Sequence, residues 1–434
     1  MEVHNGGTAQ VNALVANSRL EGFYKLSREE RLKLIADLCN LTEEETNTLG
    51  NPGEVDLGTL EHMIENVVGF MPIPVGIATN FRINGKDYLI PMATEEPSVV
   101  AAASNAAKGA REMGGFKADA TDPVMIGQIQ LVGVKNPDAA MEKIAGKKGD
   151  LIAEGNSVDP LLVKLGGGMR DVLSRKIKTN SGEMVIVHIL VDVRDAMGAN
   201  AVNTMAEKLA PTLEKITGGK ARLKILSNLA MHRLGRSSAT WSKEFLGGEE
   251  VVDGIIEAYS FAAADIYRCA THNKGIMNGI SSVALATGND TRALEAGAHS
   301  FACLHGTYQP LTQWRKGEGG NLVGTIELPI AVGLIGGATK SHAVARTNLK
   351  IIGVESSTEF AMVLASVGLA QNLAAIRALA AEGIQKGHMR LHARNIAISA
   401  GAPPEIVDKV AEKMVAEGKI RMDRAQEIIE ELKR

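Results

Sequence analysis

The segment between residues 117 and 226 constrains the fold most, because its hydrophobic pattern alternates between the period of a strand and that of a helix. The predicted elements are a strand at 125–135, a helix at 138–147, strands at 172–178 and 184–193 around an Asn-Ser-Gly turn, a helix at 199–216 and a strand at 220–226. This order is the split βαβ arrangement of ferredoxin-like domains. We therefore expect a small domain at 117–225 that is inserted into a larger one.

Local signals on either side of this segment predict further helices and a hairpin. Ser27 and Thr42 each precede a glutamate by three residues, which is the capping-box pattern of a helix start. Asn84 and Gly85 separate two apolar runs and predict two strands joined by a tight turn. A helical pattern then occupies most of the chain after residue 229.

These elements together predict an α+β fold with three parts. At 434 residues the chain is long enough for two or three domains. We expect a large mixed α/β domain formed by residues 1–116 and 226–378, the inserted ferredoxin-like domain at 117–225, and a C-terminal helical piece at 379–434. Glycines at 383 and 387 are candidate hinges, so this last piece is either a flap that closes over a site or a helical decoration.

Composition excludes several classes of protein. With 47 basic and 50 acidic residues, the net charge is -3, and the chain offers no basic stripe for nucleic acid. The cysteines at 39, 269 and 303 have neither metal-ligand nor disulfide spacing, so we expect no metal and a reducing, cytoplasmic location. The longest uncharged stretch, 360–376, contains Gln and Asn and is predicted to be a buried helix, so we expect no membrane partner.

Chemistry is concentrated between residues 267 and 299. Lys274 in HNKG and Asp290 in TGND lie in a run of small, polar and flexible residues. Backbone that bends at Gly, Asn and Thr can approach a ligand closely. A lysine is more often a solvated surface charge, and a Gly-Asn-Asp run is more often a turn. Taken singly, each pattern also fits an ordinary surface or a structural ion pair.

A series of blocks in order gives these residues a context. The blocks are ENVVG at 65–69, PMATEEPSVVAAAS at 91–104, DVRDAMGAN at 192–200, HNKG, TGND, GLIGGATK at 333–340 and GHMRLHARN at 387–395. In order and approximate spacing, the chain resembles the soluble, class II branch of 3-hydroxy-3-methylglutaryl-CoA (HMG-CoA) reductases, from about Ser27 to the last helix. The resemblance implies that HMG-CoA and mevalonate plus coenzyme A are interconverted by two NAD(P)H hydride transfers, through a hemithioacetal and mevaldehyde.

The resemblance also implies four catalytic roles. Lys274 stabilises the developing oxyanion, and Asp290 supports the charge of Lys274. Glu96 supplies the proton for the developing alkoxide. Adjacent side chains of an extended chain point to opposite sides, so its neighbour Glu95 is left with a structural or solvated role. His388 protonates the leaving thiolate of coenzyme A, as suits a group that titrates near neutrality.

The same resemblance implies the substrate-binding residues. Arg268, six residues before Lys274, is expected to bind the HMG carboxylate through its guanidinium group. Ser98 and Asn278 are its hydrogen-bonding helpers. Glu65 and Asn66 of the ENVVG block complete the predicted substrate set. In this interpretation the large domain binds coenzyme A and HMG.

Cofactor binding is assigned to the inserted domain. Asp195, Met197, Gly198 and Asn200 resemble the dinucleotide-binding motif of the family and precede a helix whose free amides suit a pyrophosphate. Asp159 lies seven residues ahead of a glycine run, as in NADH-preferring members, and would accept bonds from a ribose 2′-hydroxyl and repel a 2′-phosphate. NADH is therefore predicted over NADPH. The family's site lies between subunits, which implies a homodimer or a multiple of dimers.

Two alternatives come from other classes. One is an acyl-CoA transferase or hydrolase in which Cys303 or Cys269 attacks a thioester with His299 or His272 as base. The other is a non-catalytic protein that binds coenzyme A without consuming NADH.

Overall fold

The computed structural model describes residues 17–51, 58, 61–337, 339, 342–381 and 393–433. After a single 3₁₀ turn at Phe23–Lys25, the chain forms two short α-helices, α1 at Arg28–Leu38 and α2 at Glu43–Gly50. The predicted capping boxes are confirmed, because the side chains of Ser27 and Thr42 accept bonds from the amides of Glu30 and Glu45, and those glutamates bond back to the cap amides.

The predicted hairpin is also confirmed. Strands β1 (Val75–Ile83) and β2 (Lys86–Ala93) pair antiparallel around Asn84 and Gly85. Both turn residues have positive φ, 50° and 84°, as a type I′ turn requires. The hairpin leads into α3 (Val99–Glu112), which packs its small buried residues against β1.

The inserted unit has the split βαβ order that the sequence predicts. Its antiparallel sheet runs β5-β6-β4-β7, formed by β4 (Val124–Val132), β5 (Gly168–Thr179), β6 (Gly182–Asp192) and β7 (Lys220–Ser227). The helices of this unit are α4 (Pro137–Gly146), α5 (Lys148–Asn156), α6 (Pro160–Lys164) and α7 (Ala199–Thr217). Side chains such as Val187 and Leu209 form a hydrophobic core of their own.

The larger body is built around a second four-stranded sheet. Its order is β3-β8-β10-β9, formed by β3 (Lys117–Ala120), β8 (Leu234–Trp241), β9 (Thr312–Lys316) and β10 (Leu322–Pro329). Residues 117–120 thus pair with the large sheet, although the pattern places them at the start of the inserted domain. They are the strand that leads from one sheet to the other.

Helices cover this sheet and carry the site. They are α8 (Lys243–Leu246), α9 (Glu249–Ala264), α10 (Ile266–Ala286), α11 (Thr291–Ala302), α12 (Ala343–Ile352) and α13 (Ser357–Ala381). Helix α13 is long and apolar enough to cross a membrane, but most of it is buried inside the protein, where it packs against α3, α9, α10 and β8. The prediction of a buried helix at 360–376 is confirmed.

The C-terminal part forms a third, small core. It contains a helical stretch at 393–399, α14 (Val407–Ala416) and α15 (Met422–Lys433). Ala397, Val410, Met414 and Ile428 are fully buried in it. The candidate hinges at 383 and 387 lie outside the described residues.

Candidate active site

The candidate site is built on α10. The helix begins at Asp265, whose side chain accepts a hydrogen bond of 2.7 Å from the amide of Arg268. One side of the helix is buried against α13, and Gly279 permits the close approach, because a Cβ there would lie 3.0 Å from two side chains of α13. Lys274 and Asn278, one helical turn apart, therefore share one side and are held by a fixed scaffold.

The structure brings three of the predicted residues together. The Lys274 Nζ donates to Glu96 Oε2 at 2.8 Å, and Asn278 Nδ2 donates to Glu96 Oε1 at 3.3 Å. Glu96 follows β2, and its amide donates to Thr94 Oγ1 at 3.1 Å. Ser98, which begins α3, has a φ of 74°, an uncommon value for a residue with a side chain. An ammonium and a carboxyl group are thus available to the same incoming oxygen.

The described contacts of Asp290 are with the start of its own helix. Asp290 begins α11, and its Oδ1 accepts bonds from the amides of Arg292 and Ala293 at 3.0 and 3.1 Å. It also pairs with the Arg292 guanidinium at 3.3 Å. Among the described residues, Lys274 bonds to Glu96 and Asp290 does not bond to Lys274, since the free amides at the helix start hold its carboxylate.

A second carboxylate, which sequence reasoning did not single out, lies within the electrostatic influence of Lys274. Glu295 accepts bonds from Ser281 Oγ at 2.6 Å and pairs with His299 at 3.1 Å, and His299 in turn contacts Tyr308 Oη at 2.7 Å. Burial acts to raise the pKa of Glu295, but hydrogen bonds from His299 and Ser281 and the charges of His299 and Lys274 outweigh it and lower the pKa. Its EAGAH context lies within the chemistry-rich stretch, but no spacing rule distinguished it.

The remaining predicted substrate residues are placed differently from one another. Arg268 is half-buried, and its guanidinium makes no bond to any described residue, so it is available to a carboxylate. Burial lowers the pKa of Arg268. Glu65 and Asn66 are exposed and bond to no described residue of the same chain, and Asn66 has a φ of 56°. Large apolar side chains around them are exposed as well, namely Ile64, Val68, Phe70 and Met71.

Four of the five predicted cofactor residues line a large cleft. Asp159, Met197, Gly198 and Asn200 line it, as does Asp290 from the larger body, and its volume is about 2420 Å³. Asp159 begins α6, with its Oδ1 accepting from an amide at 2.9 Å. Met197 and Gly198 belong to the turn before α7, Asn200 lies in the first turn of that helix, and Asp159 faces the same space.

The turn before α7 fits an anionic cofactor. Gly198 has a φ of 99°, and a Cβ there would lie 2.5 Å from Val193, so the chain requires glycine at this point. No side chain in the described part of the chain caps the helix, so its first amides are available to a pyrophosphate. Asp195 does not line the cleft. Its carboxylate instead accepts a hydrogen bond of 2.7 Å from the amide of Ser357, the first residue of α13.

The fourth predicted catalytic residue, His388, lies outside the described residues. Its placement relative to Lys274 stays a prediction.

Comparison with known proteins identifies the family. The family model of hydroxymethylglutaryl-coenzyme A reductase matches residues 27–393. The chain belongs to this family. It is 59% identical over 417 residues to the 3-hydroxy-3-methylglutaryl-coenzyme A reductase of Archaeoglobus fulgidus, which covers 96% of this chain and 95% of that protein.

Solved reductase structures share the fold. The class II HMG-CoA reductase of Streptococcus pneumoniae bound to NADPH in open conformations is 40% identical, with a TM-score of 0.80 over 94% of this chain and 100% of that one. A second structure of the pneumococcal reductase gives a TM-score of 0.82 over 95% of this chain and 99% of that one. The predicted resemblance to class II reductases and the predicted mixed α and β fold are confirmed.

In this reductase the cysteines lack the setting of a nucleophile. Cys269 is buried, which raises the pKa of its thiol to about 11. Cys303 is exposed, but His299 uses both ring nitrogens for Glu295 and Tyr308. His272 is buried against Thr312, which lowers the pKa of the ring to about 4. Among the described residues no histidine bonds to a cysteine, so the thioester-attack alternative has no base.

Proposed function

We propose that this protein interconverts HMG-CoA and mevalonate plus coenzyme A, with Lys274 and Glu96 acting on the reacting oxygen. The observation that carries the proposal is the 2.8 Å pair of Lys274 and Glu96, with Asn278 on the other carboxylate oxygen. In an exposed setting such a pair contributes only about 0–1 kcal/mol to stability. Both groups can therefore exchange partners when a substrate oxygen arrives.

Each residue has a defined task in this proposal. NAD(P)H, held by the turn before α7, supplies the two hydrides. Lys274 stabilises the negative charge that develops on the acyl oxygen, and Glu96 gives that oxygen its proton at the aldehyde stage. Arg268 binds the carboxylate of the HMG group, and Ser98 and Asn278 orient the substrate. His388 protonates the thiolate of coenzyme A when the hemithioacetal breaks.

Asp290 supports the ammonium charge from a distance in this proposal. Its carboxylate is fixed at the start of α11 and lines the cofactor cleft. A direct bond to Lys274 would require the lysine to leave Glu96. We propose that this exchange accompanies substrate binding, because an incoming oxygen competes with Glu96 for the ammonium.

We also propose that the active site is completed by a second copy of the chain. Lys274, Glu96 and Arg268 do not line the cofactor cleft, although the C-terminal end of α10 does, at Leu285, about three helical turns beyond Lys274. Exposed apolar residues flank the substrate set, and such surfaces mark association sites. They are Ile64, Val68, Phe70 and Met71 near Glu65, and Phe261, Ile266 and Tyr267 near Arg268.

Mixing two inactive variants tests this arrangement. Lys274→Ala removes the oxyanion donor, and Gly198→Trp forces a bulky side chain against Val193 and so disrupts the turn before α7. If each site takes Lys274 from one subunit and the turn from the other, random mixing restores about a quarter of the wild-type activity, because half the dimers are mixed and each has one intact site. A mixture as inactive as its parents, in dimers shown by sedimentation to have exchanged, would place both parts in one chain.

Cofactor preference is proposed from Asp159. Its Oδ1 caps α6, and its other oxygen makes no bond to a described residue, so it can accept from a ribose 2′-hydroxyl in the cleft. We propose NADH as the preferred cofactor, while NADPH, which is bound in the pneumococcal structure, remains usable. An Asp159→Asn variant removes the repulsion of a 2′-phosphate. The ratio of kcat/KM for NADH to that for NADPH is expected to fall, with Asp171→Asn, a carboxylate paired with Lys148, as control.

One assay tests the reaction and the cofactor together. Loss of dihydronicotinamide absorbance is followed with HMG-CoA and with NADH or NADPH in turn. Oxidation of either nucleotide, with two equivalents consumed per mevalonate formed, is expected. A protein that bound coenzyme A and oxidised neither nucleotide would be the non-catalytic alternative. We propose a cytoplasmic location for this activity, on the basis of the three free cysteines.

A further inference from the structure

Arg233 is a buried arginine whose side-chain hydrogen bonds to described residues all go to backbone carbonyls. It lies just before β8 and is 3% exposed. Its Nη1 donates to the carbonyls of Ala196 and Met197 at 3.1 and 3.2 Å, and its Nη2 donates to the carbonyl of Val332. The side chain thus reaches from the large sheet into the turn that precedes α7 and lines the cofactor cleft.

This placement is energetically expensive. Burial lowers the pKa of Arg233 to about 10, against the opposing influence of the Asp195 and Asp192 charges, so the group stays protonated near neutral pH. A buried charge is normally paired directly with an opposite charge. Here no carboxylate bonds to the guanidinium among the described residues, and its direct partners are three carbonyls.

The orientation of these carbonyls determines the direction of neighbouring amides. In a planar trans peptide the carbonyl of one residue and the N–H of the next point in opposite directions. Since the carbonyls of Ala196 and Met197 face Arg233, the N–H groups of Met197 and Gly198 point away from it. Neither N–H has a partner among the described residues, and both residues line the cleft. Consecutive free amides of this kind attract anions.

The turn is held on its other side as well. Gly333 packs against it so closely that a Cβ would lie 2.6 Å from the nitrogen of Met197. Its amide donates to Asn289 Oδ1 at 2.8 Å, and the amide of Leu334 donates to the Asp195 carbonyl at 2.8 Å. The turn is therefore connected on this side to the residue immediately before Asp290.

We infer that Arg233 is a positioning residue for the reaction, which fixes the carbonyls of residues 196 and 197 and thereby aims the amides of 197 and 198 at the pyrophosphate of the nicotinamide cofactor. This inference rests on the proposed function, because it requires that the cleft bind a dinucleotide. Arg233 acts through the backbone of the turn and does not itself touch the cofactor.

Substitutions of Arg233 test the inference in the full-length dimer. Arg233→Met keeps the length of the side chain and removes all its donors, and Arg233→Lys keeps the charge with fewer donors in a different geometry. The matched control is Arg236→Met, which removes an exposed arginine of β8 that pairs with Glu327 and Asp119. The readouts are the dissociation constants of NADH and NADPH, measured by dihydronicotinamide fluorescence, the KM for HMG-CoA, and the melting temperature.

The two Arg233 variants are expected to differ in how much they weaken dinucleotide binding. Arg233→Met is expected to weaken dinucleotide binding by about ten- to a hundredfold, as a displaced binding group does, with the KM for HMG-CoA changed by less than about twofold. Arg233→Lys is expected to recover part of the affinity, and Arg236→Met to bind like the wild type. If Arg233→Met does not fold, Arg233→Lys decides alone, and weakened dinucleotide binding in a protein with a normal KM for HMG-CoA supports the inference.

Failure of the inference is distinguishable from failure of the proposed function. Folded Arg233 variants that bind both dinucleotides with wild-type affinity would leave Arg233 a purely structural role. If the substitutions weakened dinucleotide binding and raised the KM for HMG-CoA by the same factor, the effect would be a general loosening of the structure, which would contradict the inference. A wild-type protein that bound neither dinucleotide would overturn the proposed function, and the inference with it.

Discussion

Lys274 and Arg233 are two cations of the candidate site, and the fold places them in opposite environments. The Lys274 side chain is 59% exposed, and its ammonium is paired with a carboxylate that is itself accessible. Arg233 is buried, and its guanidinium is bonded to neutral carbonyls. A group that meets a reacting oxygen must be able to change partners, which an exposed ion pair permits. A group that sets backbone geometry must not, which burial ensures.

The same contrast extends to the surroundings of each cation. Lys274 contacts the side chain of Glu96, which also accepts from the side chain of Asn278. The turn before α7 is instead shaped by its backbone, with left-handed φ values of 51° at Arg194 and 99° at Gly198. Disturbing the first region should therefore change chemistry, and disturbing the second should change cofactor binding.

The largest expected effect is that of Lys274→Ala. Removal of a pre-positioned oxyanion donor costs about 10²–10³ in kcat, and loss of the charge of Lys274 at both reduction steps places this variant at or beyond the upper end. Reduction of HMG-CoA and of free mevaldehyde are both expected to disappear, with the dinucleotide dissociation constant unchanged. Steady-state kinetics and fluorescence titration check this.

Lys316→Ala is the control for that variant, since it removes another lysine paired with carboxylates, Glu249 and Asp253, on the exposed surface. It should keep full activity. A Lys274→Ala enzyme that lost dinucleotide affinity as much as kcat would erase the distinction between the two regions.

The stability of the protein should depend on pH through a histidine in α10, the helix that carries Lys274. His272, buried in α10, has a pKa lowered to about 4, chiefly by burial, with the charge of Arg268 also contributing. The unfolded chain takes up this proton near pH 6.5 and the folded protein only near 4, so stability is full above that range, falls as the pH drops from 6.5 to 4, and is constant below it. The loss amounts to about 3 kcal/mol.

Chemical denaturation at a series of pH values measures this loss. The His272→Gln variant should show a smaller decrease in unfolding free energy between pH 6.5 and 4 than the wild type. The turn around Arg233 should contribute no such slope, because burial leaves that pKa at about 10. Identical slopes for variant and wild type would show that His272 does not bear the charge-burial cost.

His388→Gln should separate the two reduction steps. If His388 protonates the departing thiolate, its loss lowers reduction of HMG-CoA by about a hundredfold and spares reduction of free mevaldehyde, which releases no thiol. The two reactions are assayed side by side with one enzyme preparation. If both reductions were lost equally, His388 would not be specific to thiolate protonation, and it would act at both reduction steps as Lys274 does.

Sequence reasoning reached the fold and the charged pair for an identifiable reason. Alternating periods give the order of strands and helices along the inserted unit, and the resemblance carried by the motif blocks gives Lys274, Glu96 and Asn278. Both predictions depend on local patterns and on a family resemblance, which can be read directly from the amino-acid sequence.

The missed features depend on contacts between distant segments. Arg233 precedes an ordinary strand, and no motif marks it. Its role can be inferred only from the fold, which brings it to carbonyls 37, 36 and 99 residues away in the chain. Asp290 is predicted to support the charge of Lys274, and nothing in the motif spacing shows that its carboxylate also accepts from the free amides at the start of α11. Helix-end geometry of this kind is local, yet its strength relative to an ion pair cannot be read from spacing.

The smallest expected effect concerns the two ends of α7, where Gly198 and Gly218 both have positive φ, 99° and 70°. Alanine at either position costs about 1–2 kcal/mol of stability from the backbone alone. At Gly218 the added Cβ meets open space, whereas at Gly198 it would lie 2.5 Å from Val193. Gly198→Ala is therefore expected to shift the cleft-lining turn and weaken dinucleotide binding about tenfold, while Gly218→Ala lowers the melting temperature without changing that affinity. Fluorescence titration of both variants compares the two ends directly, and equal dinucleotide affinities would mean that the turn tolerates a displacement that the contacts of Arg233 and Gly333 should forbid.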